Sequence, residues 1–257
     1  MRRTFHWLSI ALLSALQLGC ATSSPQQAPL APGGTNSEVA SVNTQLGLGY
    51  LRNGQVRLAF ERLNTALAAD PDYATAYNGM ALVYDRLNEP EKAEQHFKRA
   101  IELNPSDSAA QTNYGAFLCQ RGRIDEGEKY FLKAVENPLY DKPAMAYSNA
   151  GMCRLRADDP SGAEVYFRAA LRADPRFGVA LLNMAELSLD NEQYLSARAY
   201  MQRYEEINKH NPRSLWIGIR IEEKLGDKDA VSSFAMLLKA SYPDSPEARM
   251  LLESGMQ

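Results

Sequence analysis

From about residue 40 onward, apolar and polar positions recur with a period of about 34 residues. Small residues stand at Ala59, Ala93, Gly127, Ala163, Ala197 and Ala230. Four residues after each comes a large apolar side chain: Leu63, Phe97, Phe131, Phe167, Met201 and Phe234. Three further on stand Ala66, Ala100, Ala134, Ala170, Tyr204 and Leu237. Spacings of four and then three mark one face of a helix. An earlier set repeats in the same way, with Gly47, Ala81, Gly115, Gly151, Ala185 and Gly218 followed at the third residue by Tyr50, Tyr84, Leu118, Arg154, Ser188 and Ile221. Each period therefore predicts two antiparallel helices of about 13 residues. Turn signals separate them at Asn53-Gly54, Asn88-Glu89-Pro90, Arg121-Gly122, Asp158-Asp159-Pro160, Asp190-Asn191 and Gly226-Asp227. One such pair cannot bury its apolar face alone, so six of them must stack into a solenoid.

These positions resemble the tetratricopeptide repeat (TPR), a helix–turn–helix of 34 residues. The resemblance spans residues 40–243, and its clearest copy carries Tyr77, Ala81, Tyr84, Ala93, Phe97, Ala100 and Pro105. Pro71, Pro105 and Pro175 close three of the copies. The fourth and fifth copies depart from the pattern at Arg154 and Ser188, where an aromatic is usual, and the fifth has Lys209 in place of the terminal proline. The segment Asn137–Pro143 adds two residues between the third and fourth copies. The last stretch, 244–257, is expected to form a short capping helix with Ser245 as N-cap and Pro246 in the first turn. The predicted fold is all-α.

Residues 1–39 break the period. Arg2 and Arg3 precede an apolar run from Phe5 to Leu18, too short for a comfortable membrane span and ending in small residues. Residues 1–19 therefore read as a secretory signal peptide. Leu18-Gly19-Cys20 resembles the lipobox of bacterial lipoproteins, with Gln17 where that family prefers Leu. The resemblance implies cleavage before Cys20 and acylation of it. Ala21, in place of the Asp that retains lipoproteins at the inner membrane, implies an outer-membrane destination, facing the periplasm. Residues 20–39, rich in Pro, Gly and small polar side chains, are expected to be a disordered tether spanning on the order of 25 Å.

Composition narrows the function. The chain carries 28 basic and 31 acidic side chains, net −3. Loss of Arg2 and Arg3 with the signal peptide would take 28 to 26 against 31, about −5. That balance argues against a nucleic-acid partner, which needs a basic patch. The three histidines have no ligand spacing, so no metal or other cofactor is expected. Cys119 and Cys153 could pair, but two cysteines make no disulfide framework, and the plainer expectation is two small buried hydrophobes. No phosphate loop, His-Glu metal motif or nucleophile elbow appears, so neither an enzyme nor a small-molecule substrate is expected. Glu205-Glu206 and Glu222-Glu223 read as solvated faces of amphipathic helices.

A solenoid of this kind presents a concave face built from the first helix of each pair. Two residues before the small residue of that helix stand Gln45, Asn113, Asn149 and Asn183. In some TPR proteins Asn at this position clamps the backbone of an extended peptide, since an amide both donates and accepts. Neighbouring groove positions are Leu48, Asn78, Leu82, Thr112, Ala116 and Met152, more apolar than charged, with no lysine pair for an acidic terminus. The plain alternative is that Asn is merely tolerated on an exposed helix.

Six repeats behind a lipoprotein signal, and the run from Thr44 to Asp107 in particular, resemble the PilF/PilW family of type IV pilus biogenesis proteins. That resemblance implies a pilotin that brings the secretin subunits of the pilus to the outer membrane and promotes their multimerisation. A lipoprotein adaptor for cell-wall hydrolases, or for another envelope complex, is the competing expectation on the same scaffold.

Overall fold

The computed structural model describes residues 36–255. The signal peptide, Cys20 and nearly all of the expected tether lie outside those residues. Within them the chain forms thirteen helices and no strand. Twelve make six antiparallel pairs: α1 Asn36–Arg52 with α2 Val56–Ala69, α3 Ala74–Arg86 with α4 Pro90–Leu103, α5 Ser108–Gln120 with α6 Ile124–Val135, α7 Pro143–Arg156 with α8 Pro160–Ala173, α9 Gly178–Asp190 with α10 Tyr194–Glu205, and α11 Pro212–Leu225 with α12 Lys228–Ser241. The thirteenth, α13, runs Pro246–Ser254, and the Ser245 hydroxyl accepts from the backbone of Ala248 as its N-cap.

Helix α1 begins at Asn36, so the last residues assigned to the tether are helical. Glu38 lies in the first turn, where a carboxylate favours the helix. Proline opens α4, α7, α8, α11 and α13, where its missing N–H costs nothing.

The odd helices lie side by side, with α1 close to α3, α3 to α5, α5 to α7, and α9 to α11, whereas the backbones of successive even helices stand farther apart. The stack therefore curves with the odd helices on the inside. Each even helix buries a narrow stripe: Ala59, Leu63 and Ala66 in α2, Ala93, Phe97 and Ala100 in α4, Ala163, Phe167 and Ala170 in α8. These are the four-then-three positions of the sequence. Burying a Phe there contributes about 2–3 kcal/mol. The small residue on the odd helix makes room for it. A Cβ added at Gly151 would stand 2.8 Å from the Phe167 ring, and one at Gly115 would stand 2.8 Å from both the Phe131 ring and the carbonyl of Gly127.

The sixth pair departs from the expected register. Helix α12 buries Val231, Ala235 and Leu238, while Ala230 and Phe234 are only half-buried and Leu237 is exposed. The buried stripe has turned by one residue, because α12 ends the stack. It packs with Leu215, Ile219 and the α13 residues Ala248 and Leu251 instead of with a following repeat.

Arg154, where an aromatic was usual, is also explained. Its guanidinium pairs with Glu128 and lies 3.5 Å from Asp125, while the Tyr166 hydroxyl donates to Glu128. An ion pair bridges α7 and α6 at that level in place of a ring.

Two further expectations are corrected. Cys119 on α5 and Cys153 on α7 form a disulfide, with Cα atoms 5.6 Å apart. Cys119 lies four residues after Gly115 and Cys153 two after Gly151, so they face each other across adjacent odd helices. Glu222 is buried, not solvated. Arg198 of α10 donates to both its oxygens, at 2.9 Å through Nε, and Asp227 lies 3.6 Å from the same guanidinium. Glu205 is half-buried beside it, and burial and then the Glu222 charge raise its carboxyl above the usual range. Glu206 and Glu223 are exposed as expected.

Candidate functional site

The inner surface is built by the odd helices, and three lines of residues run across it. The innermost line holds Thr44, Asn78, Thr112, Ser148 and Leu182, all buried. Beside it run Gln45, Asn113, Asn149 and Asn183, and then Leu48, Leu82, Ala116 and Met152, half-buried on the open side. Helical spacing of three and four keeps the three lines on one face.

The amides do not form a uniform row. Gln45 is exposed. Asn113 donates to the side-chain amide oxygen of Asn78, Oδ1, at 3.1 Å, tying α5 to α3. Asn149 is half-buried and makes no hydrogen bond among the described residues, so its amide is open to a partner. Asn183 is 1% exposed, and both ends of its amide are engaged: it donates to the Val179 carbonyl at 2.7 Å and accepts from Arg213 at 2.9 Å. Arg213 also pairs with Glu186. Asn183 thus serves the α9–α11 joint.

Thr112 is equally withdrawn. Its hydroxyl donates to the Ser108 carbonyl at 2.7 Å and lies 3.1 Å from the Tyr140 hydroxyl. Tyr140 belongs to the two-residue insertion. Asn137 of that loop donates to Ser108 Oγ at 3.2 Å, so the loop folds back against the start of α5. Burial raises the Tyr140 phenol above its ordinary range. The residues left accessible in one stretch are Gln45, Leu48, Leu82, Asn113, Ala116, Asn149 and Met152, spanning the first four repeats. This surface offers backbone-binding amides next to apolar side chains, which suits an extended peptide.

Ion pairs fix the helices that carry this face. Arg121 of the α5–α6 turn donates to Asp85 at 2.8 Å, Arg220 to Asp190 at 3.0 Å, and Arg123 to Glu94 at 2.9 Å. Glu94 also receives Lys98 at 2.8 Å and the Tyr114 hydroxyl at 3.0 Å. The Lys98 hydrogen bond, helped by Arg123 and Tyr114 and opposed by burial, lowers its carboxyl from 4.5 to about 2. Cys20 lies outside the described residues.

Helix pairs of this length, small-to-aromatic packing and an inner surface of odd helices define a tetratricopeptide-repeat protein, and tetratricopeptide-repeat models match residues 74–107, 96–129 and 148–212. The likeness extends to whole chains. The type IV pilus assembly protein PilF of Pseudomonas aeruginosa is 32% identical over 238 residues, 93% of this chain and 94% of that one. The solved structure of P. aeruginosa PilF matches with a TM-score of 0.77 at 30% identity, over 85% of this chain and 99% of that one. PilW, described as a widely conserved type IV pilus biogenesis factor, matches with a TM-score of 0.73 at 30% identity, over 84% and 99%. The chain belongs to the PilF/PilW family of type IV pilus TPR proteins.

Proposed function

We propose that this protein is an outer-membrane pilotin. Lipid on Cys20 anchors it, the inner face of its first four repeats binds secretin subunits of the type IV pilus, and it promotes their localisation and multimerisation. It acts as a binding scaffold, without catalysis of its own. The observation that carries the reading is a likeness to PilF along nearly the whole chain. Two features support it. The lipobox-like Leu18-Gly19-Cys20 has no Asp after the cysteine. The Cys119–Cys153 disulfide suits an oxidising compartment such as the bacterial periplasm, since cytosolic thiols are kept reduced.

The test is Ala21→Asp in the full chain, expressed in a host where Asp at that position retains lipoproteins at the inner membrane. Residue 21 precedes α1 by fifteen positions, so the repeats are untouched. An escort held at the wrong membrane should strand its cargo. Secretin should fractionate with the inner membrane or stay monomeric on a gel. Normal outer-membrane rings beside a verified inner-membrane lipoprotein would sink the pilotin role, and altered peptidoglycan turnover instead would favour the hydrolase adaptor. Cys20→Ser tests the anchor separately, since the unlipidated chain should leave the detergent phase.

A further inference from the structure

The accessible face does not stop at the apolar line. Four residues beyond Leu48, Leu82, Ala116 and Met152, the same helical face continues to Arg52, Arg86, Gln120 and Arg156. In the last two repeats the equivalent residues are Asp190 and Glu223. All six are exposed. The sign thus changes from positive to negative between the fourth and fifth repeats.

Of the six arginines on the odd helices, these three lack a partner among the described residues. The other three guanidinium groups on the odd helices are taken up, Arg154 by Glu128, Arg213 by Glu186 and Arg220 by Asp190, and Arg121 at the end of α5 is taken up by Asp85. Arg52, Arg86 and Arg156 make no ion pair and no hydrogen bond among the described residues. The chain has no shortage of carboxylates, with 31 acidic side chains against 28 basic. Asp85 adjoins Arg86 in sequence, yet it is paired with Arg121 on the next repeat. Attraction to a helix carboxyl end accounts for a cation in a last turn, at about 0.3–1 kcal/mol. It does not account for three such cations aligned with an amide line and an apolar line on one open surface.

We infer that the first four repeats take an acidic, extended segment of a partner protein, with its carboxylates on Arg52, Arg86 and Arg156 and its apolar side chains on Leu48, Leu82 and Met152. This rests on the groove being the binding face, as proposed above. Packed helices lie about 8–10 Å apart. A polyproline II segment rises about 3.1 Å per residue and returns a side chain to the same face every third residue. Acidic residues at intervals of three therefore match successive odd helices, with one interval passing over Gln120. In the fifth repeat Asp190 is already neutralised by Arg220 and offers the segment no cation, and in the sixth the exposed Glu223 repels it, which fixes where it ends.

The test uses the full chain in neutral detergent and three synthetic peptides, four repeats each of Leu-Asp-Pro, Leu-Asn-Pro and Leu-Lys-Pro, titrated by calorimetry. The Asp peptide should bind roughly tenfold more tightly than the Asn peptide, a margin that shrinks as salt is raised. The triple variant Arg52→Glu, Arg86→Glu, Arg156→Glu should lose that margin and prefer the Lys peptide, a reversal that damage to the fold cannot produce. Equal affinity for the Asp and Asn peptides, no binding of any peptide, or a triple variant that binds as the parent does would each overturn the inference. The peptides contain no pilus component. Such a result would leave the pilotin role to the Ala21→Asp experiment, whose failure in turn would leave the arginine ledge standing on its own titrations.

Discussion

The sulfur of Cys119 on α5 is bonded to that of Cys153 on α7, so the third and fourth repeats are joined covalently as well as by packing. The bond crosses the one junction where the period lengthens to 36 residues and a longer loop replaces the usual turn. It closes a loop of 34 residues, for which loss of unfolded-chain entropy gives about 2–4 kcal/mol. Repeat stacks are held by neighbour-to-neighbour contacts, so weakening one junction divides the molecule into two halves. Cys119→Ser with Cys153→Ser should lower the thermal midpoint and broaden the transition, as should reductant on the parent protein. An unchanged, equally sharp melt with and without reductant would show that packing alone holds this junction.

That bond also marks the limit of what the sequence disclosed. Helix pairs, their period and the stripe Ala93, Phe97, Ala100 were legible because each depends on residues a few positions apart on one helix. The disulfide depends on the frame: Cys119 and Cys153 occupy different positions of their repeats and meet only because adjacent odd helices lie side by side. Thr112 read as a groove residue for want of knowing the course of the inserted loop, which lays Tyr140 over it. Asn183 read as a clamp, and Arg213 on the next repeat occupies it. The arginines at 52, 86 and 156 were visible at spacings of four from the apolar line. Only the structure separates them from Arg121 or Arg220, whose carboxylates lie on other helices.

Glu94 gathers Lys98, Arg123 and Tyr114 around one carboxylate and titrates at about 2 instead of 4.5. A carboxyl with a lowered folded value stabilises the protein above its unfolded value and loses that contribution as pH falls toward the folded one. The parent should therefore lose stability between about pH 4.5 and pH 2 through this group. Glu94→Gln should be less stable than the parent at neutral pH, and the gap should close as pH drops through that window. Glu205, raised by burial and then by the Glu222 charge, runs the opposite way and loses its contribution as pH rises through its raised value. The comparison must be parent against variant at each pH. A gap that stays constant down to pH 2 would contradict the assignment.

Gly127 on α6 is held against α5 so closely that an added Cβ would stand 2.5 Å from Cys119 Sγ and 2.7 Å from the Gly115 carbonyl. In an ordinary helix interior, Gly→Ala stabilises by about 0.5–1 kcal/mol. Here the sign should reverse, because the carbonyl cannot move aside without separating the two helices. Gly127→Ala should destabilise by about 1–3 kcal/mol. A variant more stable than the parent in urea titration would mean the helices have more room than this.

Each of the six turns inside a repeat contains one residue with left-handed backbone: Gly54 at φ 74°, Asn88 at 56°, Gly122 at 76°, Asp158 at 56°, Glu192 at 60° and Gly226 at 78°. Glycine adopts this region freely, and Asn and Asp tolerate it through their short polar side chains. Glu192 has neither advantage. It sits one residue beyond the Asp190-Asn191 turn signal, which is why the sequence pattern did not single it out. Its side chain is exposed and makes no hydrogen bond or ion pair among the described residues, so removing it sacrifices no contact. A non-glycine residue in this region costs about 1–2 kcal/mol, and glycine returns part of that gain through the greater freedom of the unfolded chain. Glu192→Gly should therefore stabilise the protein by roughly 0.5–1 kcal/mol. Gly122→Ala, the same exchange reversed at an equivalent turn, should destabilise by about 1 kcal/mol. Measured side by side by thermal denaturation, the two variants should move in opposite directions. If Glu192→Gly melts below the parent, the fifth turn does not hold the left-handed residue at position 192, and the period of these turns breaks there.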